Sequence, residues 1–152
     1  GELVVTPLAK EAMPLLRYRT GDITMKLEDE CLCGRSQKIG RITGRSDDML
    51  VIRGINVFPS QIEYALMAIP EVGQHFQIVV ERKGALDDML VRVELNKESF
   101  SDKINDLMQI RQKVEHRLGN SLSVNANVEL VEPGSLPRFE GKAKRVIDKR
   151  SL

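Results

Sequence analysis

A chain of 152 residues with 41% hydrophobic and 30% charged side chains has the length and make-up of roughly one globular domain. Its 23 Lys and Arg against 22 Asp and Glu leave a formal net charge of +1, so no global field draws in nucleic acid or anionic lipid. Two tyrosines, four phenylalanines and no tryptophan weaken a base-stacking role further, and no apolar run approaches the roughly 20 residues of a membrane-spanning helix.

In chain order, "ELVVT" (2–6) reads as a strand ended by Pro7. A loop of about a dozen residues follows and closes on "LLRYRTGD". "DITMKL" (22–27) is a second strand, "EDECLCGRSQ" a polar loop with a Cys-x-Cys-Gly knuckle, and "KIGRITGRS" a short β segment bent by its glycines. From Asp48 the pattern becomes regular. "MLVIRG" is a strand, and "NVFPSQIEYALMAIP" a helix in which Ser60 and Glu63 have capping-box spacing and Ile62, Leu66 and Ile69 share a face. "HFQIVVER" and "DDMLVRVEL" are strands joined through Gly84. "SFSDKINDLMQIRQKVEHRLGN" is the longest helix, with Ser99 and Asp102 to cap it, Ile104, Leu107, Val114 and Leu118 as its stripe, and Gly119-Asn120 as its stop. "VNANVELVEP" is the last strand and "LPRFEGKAKRVIDKR" a tail. The order from residue 49 onward is β-α-β-β-α-β, so the expected class is α+β: a ferredoxin-like layer of two helices on one face of an antiparallel sheet. Short β segments precede it, with the boundary near 46–48.

Four motifs carry chemistry. In "YRTGD", Asp22 follows a Thr-Gly pair; its carboxylate either accepts from vicinal hydroxyls such as those of a ribose or caps the amides of a turn. In "GRSDD", Arg45 is permanently charged and can fork onto phosphate or ribose oxygens. Asp47 and Asp48 are too close together to form a two-sided acid/base pair, and a solvated turn is the other reading. In "PRFEGKAKR", Gly141 lets Lys142 come close to a phosphate. Leu136 and Ala143 stand where a Walker A loop needs Gly and Ser or Thr, which excludes that loop. Read alone, a basic tail of this kind is most often a solvated surface. Cys31 and Cys33 are too close for an unstrained mutual disulfide. They can donate two thiolates to zinc, which is half a structural site, or lie as two buried thiols.

Together these stretches carry a resemblance. "GELVVT…MPLLRYRTGD…CxCGR…GRITGRSDDMLVIRGINVFPSQIE…LPRFEGKAKRV" resembles the C-terminal end of a phenylacetate–CoA ligase over essentially the whole chain. That branch lies in the adenylate-forming superfamily with acyl-CoA synthetases, luciferases and peptide-synthetase adenylation domains. "YRTGD" and "GR-x-DD" mark the superfamily, and "IRGINVFPSQIE" marks the branch, a wording that coenzyme F390 synthetase-like enzymes share. The resemblance implies an ATP-dependent ligase of aromatic acid catabolism, using ATP, Mg2+ and coenzyme A. It forms an acyl-adenylate and then an acyl-CoA thioester. It also implies that residues 1–46 end a large N-terminal adenylation domain and that 47–152 form a mobile C-terminal lid. By motif position, Asp22 binds the ribose hydroxyls, Arg45 helps hold the nucleotide, and Asp47 is the hinge. Gly54 comes to the pantetheine channel and Lys142 is the catalytic lysine, with Lys144 its competitor. Cys31 and Cys33 would share a zinc site with ligands from the large domain. The partners implied are an aryl carboxylic acid, ATP and CoA, with no nucleic acid or membrane; a homodimer is allowed for. The compartment expected is the cytoplasm. The opening strand without a lead-in reads as a piece of a longer protein, one expected to fold without catalysing. The rival reading is a ferredoxin-like regulatory module that binds a small molecule, with nonspecific nucleic-acid binding through the tail a distant third.

Overall fold

The computed structural model describes residues 1–28, 33–34, 38–100, 104–138 and 145–150. It divides into two units, Gly1–Met49 and Leu50–Leu152.

In the first unit, β1 (Glu2–Val5), β2 (Tyr18–Ile23) and β5 (Gly44–Arg45) form an antiparallel sheet in the order β1-β2-β5. β3 (Lys26–Leu27) pairs with β4 (Lys38–Ile39). The expected strand over 22–27 is thus two strands, and the "YRTGD" motif is strand with a register shift against β1 rather than a chain-reversing turn. Gly21, at φ +80°, supplies a backbone conformation that a Cβ disfavours and keeps the motif in the sheet. Thr24, whose hydroxyl donates to the Gly40 carbonyl at 2.9 Å, is the buried residue among those described in this unit.

The second unit holds the core. β6 (Leu50–Ile52) and β7 (Ile55–Val57) make a hairpin. Its turn residues, Arg53 (φ 51°) and Gly54 (φ 79°), both lie in the left-handed region, as a two-residue type I′ connection requires. β7 overlaps the start of the stretch expected to begin the helix. α1 (Pro59–Met67) starts two residues earlier than the Ser60 cap would have it. Phe58 is the cap; Pro59 follows with its pre-set φ, and the Gln61 side chain accepts the Phe58 N–H at 3.0 Å. Ile62, Leu66 and Ile69 are buried as the stripe predicts.

β8 (Val72–Lys83) and β9 (Leu86–Leu95) pair antiparallel across Gly84-Ala85, with Gly84 at φ 64°. Near the start of β8 the register shifts, and there a Cβ on Gly73 would lie 3.1 Å from the Glu94 carbonyl oxygen. α2 (Ile104–Leu122) runs through Gly119-Asn120 and ends before Ser123, at φ 57°. The reason is Leu122, which extends the Val114–Leu118 stripe and is 4% exposed. Burying a leucine is worth about 2 kcal/mol, more than the roughly 1 kcal/mol that a mid-helix glycine costs. Ile104, placed on that stripe by spacing, is 73% exposed. The Asp102 cap lies outside the described residues.

β10 (Asn127–Val131) lies parallel to β9, and β11 (Val146–Asp148), unforeseen in the tail, lies parallel to β8. The sheet order is β10-β9-β8-β11. The α+β class and the two-helix layer stand, with Ile62, Leu66, Val114 and Leu118 packed in one core with Ile78, Val80, Met89, Val91 and Val93. The strand pairing differs from the ferredoxin-like expectation: the sheet is mixed, and β6 is not in it. The left-handed pair Arg53-Gly54 folds β6 back onto β7. The edge beside β8 is taken by β11, through Ile78 N–H to the Arg145 carbonyl at 2.7 Å and Lys149 N–H to the Val80 carbonyl at 2.8 Å. No helix of the described residues is long and apolar enough to cross a membrane.

Candidate functional site

In the first unit the β2–β5 register sets Asp22 directly opposite Arg45, where side chains share a face. Arg45 Nη1 lies 3.6 Å from Asp22 Oδ1 and donates to the Thr20 carbonyl at 3.2 Å. Its Nε and Nη2 both bond the Asp47 carboxylate, each at 2.9 Å, in the two-pronged geometry that guanidinium and carboxylate favour. That hydrogen bonding, with the charge of Asp47, holds the guanidinium pKa above its ordinary value. Gly21 lies beneath it: a Cβ there would come within 3.0 Å of Arg45 Nη2.

Glu2, which no motif singled out, secures this strand from the other side. Its Oε1 accepts the Gly21 N–H at 3.1 Å and its Oε2 accepts Arg19 Nε at 2.8 Å. The bond from Arg19 holds the Glu2 carboxyl below the usual carboxylate range. Nothing in the sequence ties Glu2 to residues so far along the chain. Asp22 caps no turn: its own N–H donates to Thr20 Oγ1 at 3.1 Å, and among the described residues its carboxylate faces Arg45. Asp47 sits in the 3-10 turn Ser46–Asp48, two residues before the unit division, and is largely exposed. Asp22, Arg45 and Asp47 are therefore brought together. An acceptor for paired hydroxyls stands beside a permanent donor for phosphate or ribose oxygens.

Gly54 is in the other unit, at the exposed tip of the β6–β7 hairpin, where a Cβ would meet nothing within 4 Å. Its neighbour Arg53 turns back, donating from Nε to the Asp87 carbonyl at 2.9 Å. Lys142, Lys144 and Cys31 lie outside the described residues. On either side of 139–144 the chain is secured. The Arg138 guanidinium bonds Glu94 at 2.8 Å, and Arg145 pairs with Glu63 at 2.6 Å while lying 4.6 Å from the Phe76 ring centroid. Glu94 is 3% exposed. Burial pushes its carboxyl up, but bonds from Arg138 and from the Leu136 and Gly134 amides outweigh this and leave it below the ordinary value. Cys33 is exposed, and among the described residues no group of three or more His, Cys, Asp or Glu side chains could hold a metal. The described residues therefore do not build a zinc site.

Residues 54–150 match the family model of the AMP-binding enzyme C-terminal domain. The chain belongs to this family. It is 45% identical to a phenylacetate-coenzyme A ligase of Thermus thermophilus, covering 99% of this chain and 37% of that protein. It is 43% identical to one of Escherichia coli, covering 100% of this chain and 34% of that protein. It thus spans about a third of the length of the curated relatives it matches. Among solved structures it is similar to 2-hydroxyisobutyryl-CoA ligase in its postadenylation state, with a TM-score of 0.82 at 39% identity over 97% of this chain and 32% of that one. Against the thioesterification state of the same ligase the TM-score is 0.66, again at 39% identity. As a member of the AMP-binding C-terminal family, the chain has the resemblance read from its motifs borne out along its length.

Proposed function

We propose that the longer protein containing this chain is an AMP-forming aryl-acid CoA ligase of the phenylacetate type. The observation that carries the reading is the arrangement of Asp22 on β2, Arg45 on β5 and Asp47 in the 3-10 turn that follows. In the first half-reaction a substrate carboxylate oxygen attacks the α-phosphorus of ATP and pyrophosphate leaves. In the second, the CoA thiolate attacks the acyl carbon and AMP leaves.

Asp22 accepts the ribose hydroxyls, and Arg45 donates to the nucleotide. Lys142 brings an ammonium to the carboxylate and α-phosphate, offsetting the charge that moves toward pyrophosphate. Mg2+ bound to ATP would offset phosphate charge. Asp47 is the hinge between residues 1–46, the end of the large domain, and residues 47–152, the lid. An exposed polar residue in a short 3-10 turn next to the unit division can absorb a φ/ψ change in solvent. Gly54 comes to the pantetheine arm. The open space around its Cα supports this. Residues 1–152 alone fold without catalysing.

The test compares wild type and Lys142→Ala in the longer protein. Aryl-acid-dependent pyrophosphate release should fall about a thousandfold, while thioester formation from supplied acyl-adenylate and CoA persists. Survival of both moves the role to Lys144. Absence of both from the wild type with every aryl acid tried refutes the ligase reading.

A further inference from the structure

The sheet end nearest the β6–β7 hairpin carries a charge network that none of the roles above uses. Arg150 follows β11, and its side chain is 19% exposed. Its Nε and Nη2 grip Asp148, at 2.9 and 2.6 Å. Its Nη1 donates both to Asp87 Oδ2 at 2.9 Å and to the backbone carbonyl of Val51 at 2.8 Å. Asp87, 12% exposed, also takes Arg82 Nε at 3.0 Å, and these bonds from Arg82 and Arg150 hold its carboxyl below the usual range. Arg53 completes the set from the hairpin side, through the Asp87 carbonyl and Asp88 Oδ1 at 3.6 Å.

Leu50, Ile52 and Val57 seat the hairpin in the core, and the polar network adds anchoring toward its exposed turn. The hairpin has three paired positions on each strand, outside the main sheet, and its turn holds a side-chain-bearing residue at φ 51°. A two-stranded hairpin is marginal without tertiary support. Here Val51 is bonded to the tail and Arg53 to the start of β9, so the direction of the Gly54 tip is fixed by groups far from it in sequence.

We propose that Arg150 is a positioning residue for the Gly54 hairpin, and through it for the thioester-forming half-reaction. The proposal rests on the ligase reading above. Arg150 touches no reacting atom in this scheme; it sets where the turn stands when CoA arrives. A displacement of about 1 Å in such a turn is enough to slow a reaction by one to two orders of magnitude.

In the longer protein, Arg150→Gln should cut thioester formation from supplied acyl-adenylate about tenfold or more and raise the KM for CoA. Pyrophosphate release should stay within about twofold. Arg150→Lys, which reaches one partner but lacks the fork, should restore part of the loss. Arg53→Ala should reproduce the selective defect from the hairpin side, and Arg92→Gln, a surface pair with Glu129, should change neither half-reaction. Equal loss of both half-reactions, or no loss of either, overturns the proposal. Hydrogen exchange in the same protein reads the brace without any activity. Amides of residues 50–57 should exchange about tenfold faster in Arg150→Gln than in wild type, with those of β8 and β9 unchanged; unchanged hairpin exchange refutes the brace even if the ligase reading stands. A wild type that catalyses neither half-reaction, with exchange rising as expected, removes the ligase reading and the catalytic consequence while leaving the brace.

Discussion

The two units hold their shapes by different means. Leu50–Leu152 closes around Ile62, Leu66, Ile78, Met89, Val91, Val114 and Leu118, all at 0% exposure. Gly1–Met49 buries no apolar side chain among its described residues. Its strands are tied by Thr20 to the Leu3 carbonyl, Glu2 to Gly21, and Arg45 to Asp47 and the Thr20 carbonyl. Apolar packing is non-directional and tolerant; fork geometry at a guanidinium is not. The second unit has charged pairs as well, but the unit without a core has only such polar ties among its described residues, so its chemistry depends on hydrogen bonds more than on burial.

The contrast can be broken most strongly in the core. Leu118→Ala should cost about 3 kcal/mol, whereas Leu8→Ala, at 98% exposure, should stay within about 0.5 kcal/mol. Urea midpoints by circular dichroism on this chain decide it, and equal losses would erase the distinction. Next comes Glu94→Ala, which leaves the Leu136 amide and Arg138 without their acceptor and should cost about 2 kcal/mol. The same carboxylate sharpens the comparison by pH. Glu94, Glu71 (bonded by Lys113) and Asp148 (bonded by Arg150) all lie below their ordinary values of 4.5, 4.5 and 3.8. A depressed carboxyl stabilises the fold above its unfolded value, and that contribution is lost as pH falls through the lower, folded one. The thermal midpoint should therefore be flat from pH 7 to about 5 and fall below about pH 4; a decline beginning near neutrality contradicts it. A smaller effect on stability than Leu118→Ala or Glu94→Ala should come from Gly21→Ala. Strain at φ +80° is worth about 1 kcal/mol, but the new Cβ displaces the Arg45 fork. In the longer protein, pyrophosphate release should fall about tenfold with the core's unfolding midpoint unmoved.

Periodicity revealed what burial enforces. The α1 stripe and the hairpin at Gly84 follow from spacing and a single glycine, because each aligns with the core. Asp22, Arg45 and Asp47 were legible as residue types in motifs, but their convergence depends on a two-residue β5 whose register no short window encodes. The Arg53-Gly54 turn was missed because arginine carries no signal for a left-handed position; its conformation is held by Asp87 and Asp88. β11 was missed because "VID" is too short to alternate, and its pairing is decided by the open edge of β8. Gly119-Asn120 reads as a stop only while Leu122 is unseen as a core residue.

Without β11, the edge of β8 would be open to association. Ile78, Val79 and Val80 sit in a long strand rich in aliphatic residues, the kind of edge that recruits neighbouring chains. β11 occupies its hydrogen-bonding positions there, and Lys149 places a charge at the rim by pairing with Glu81 at 2.7 Å. The three residues Val146–Asp148 thus serve as a stopper: a variant lacking them would offer a bare β edge and should self-associate in a concentration-dependent way visible by light scattering.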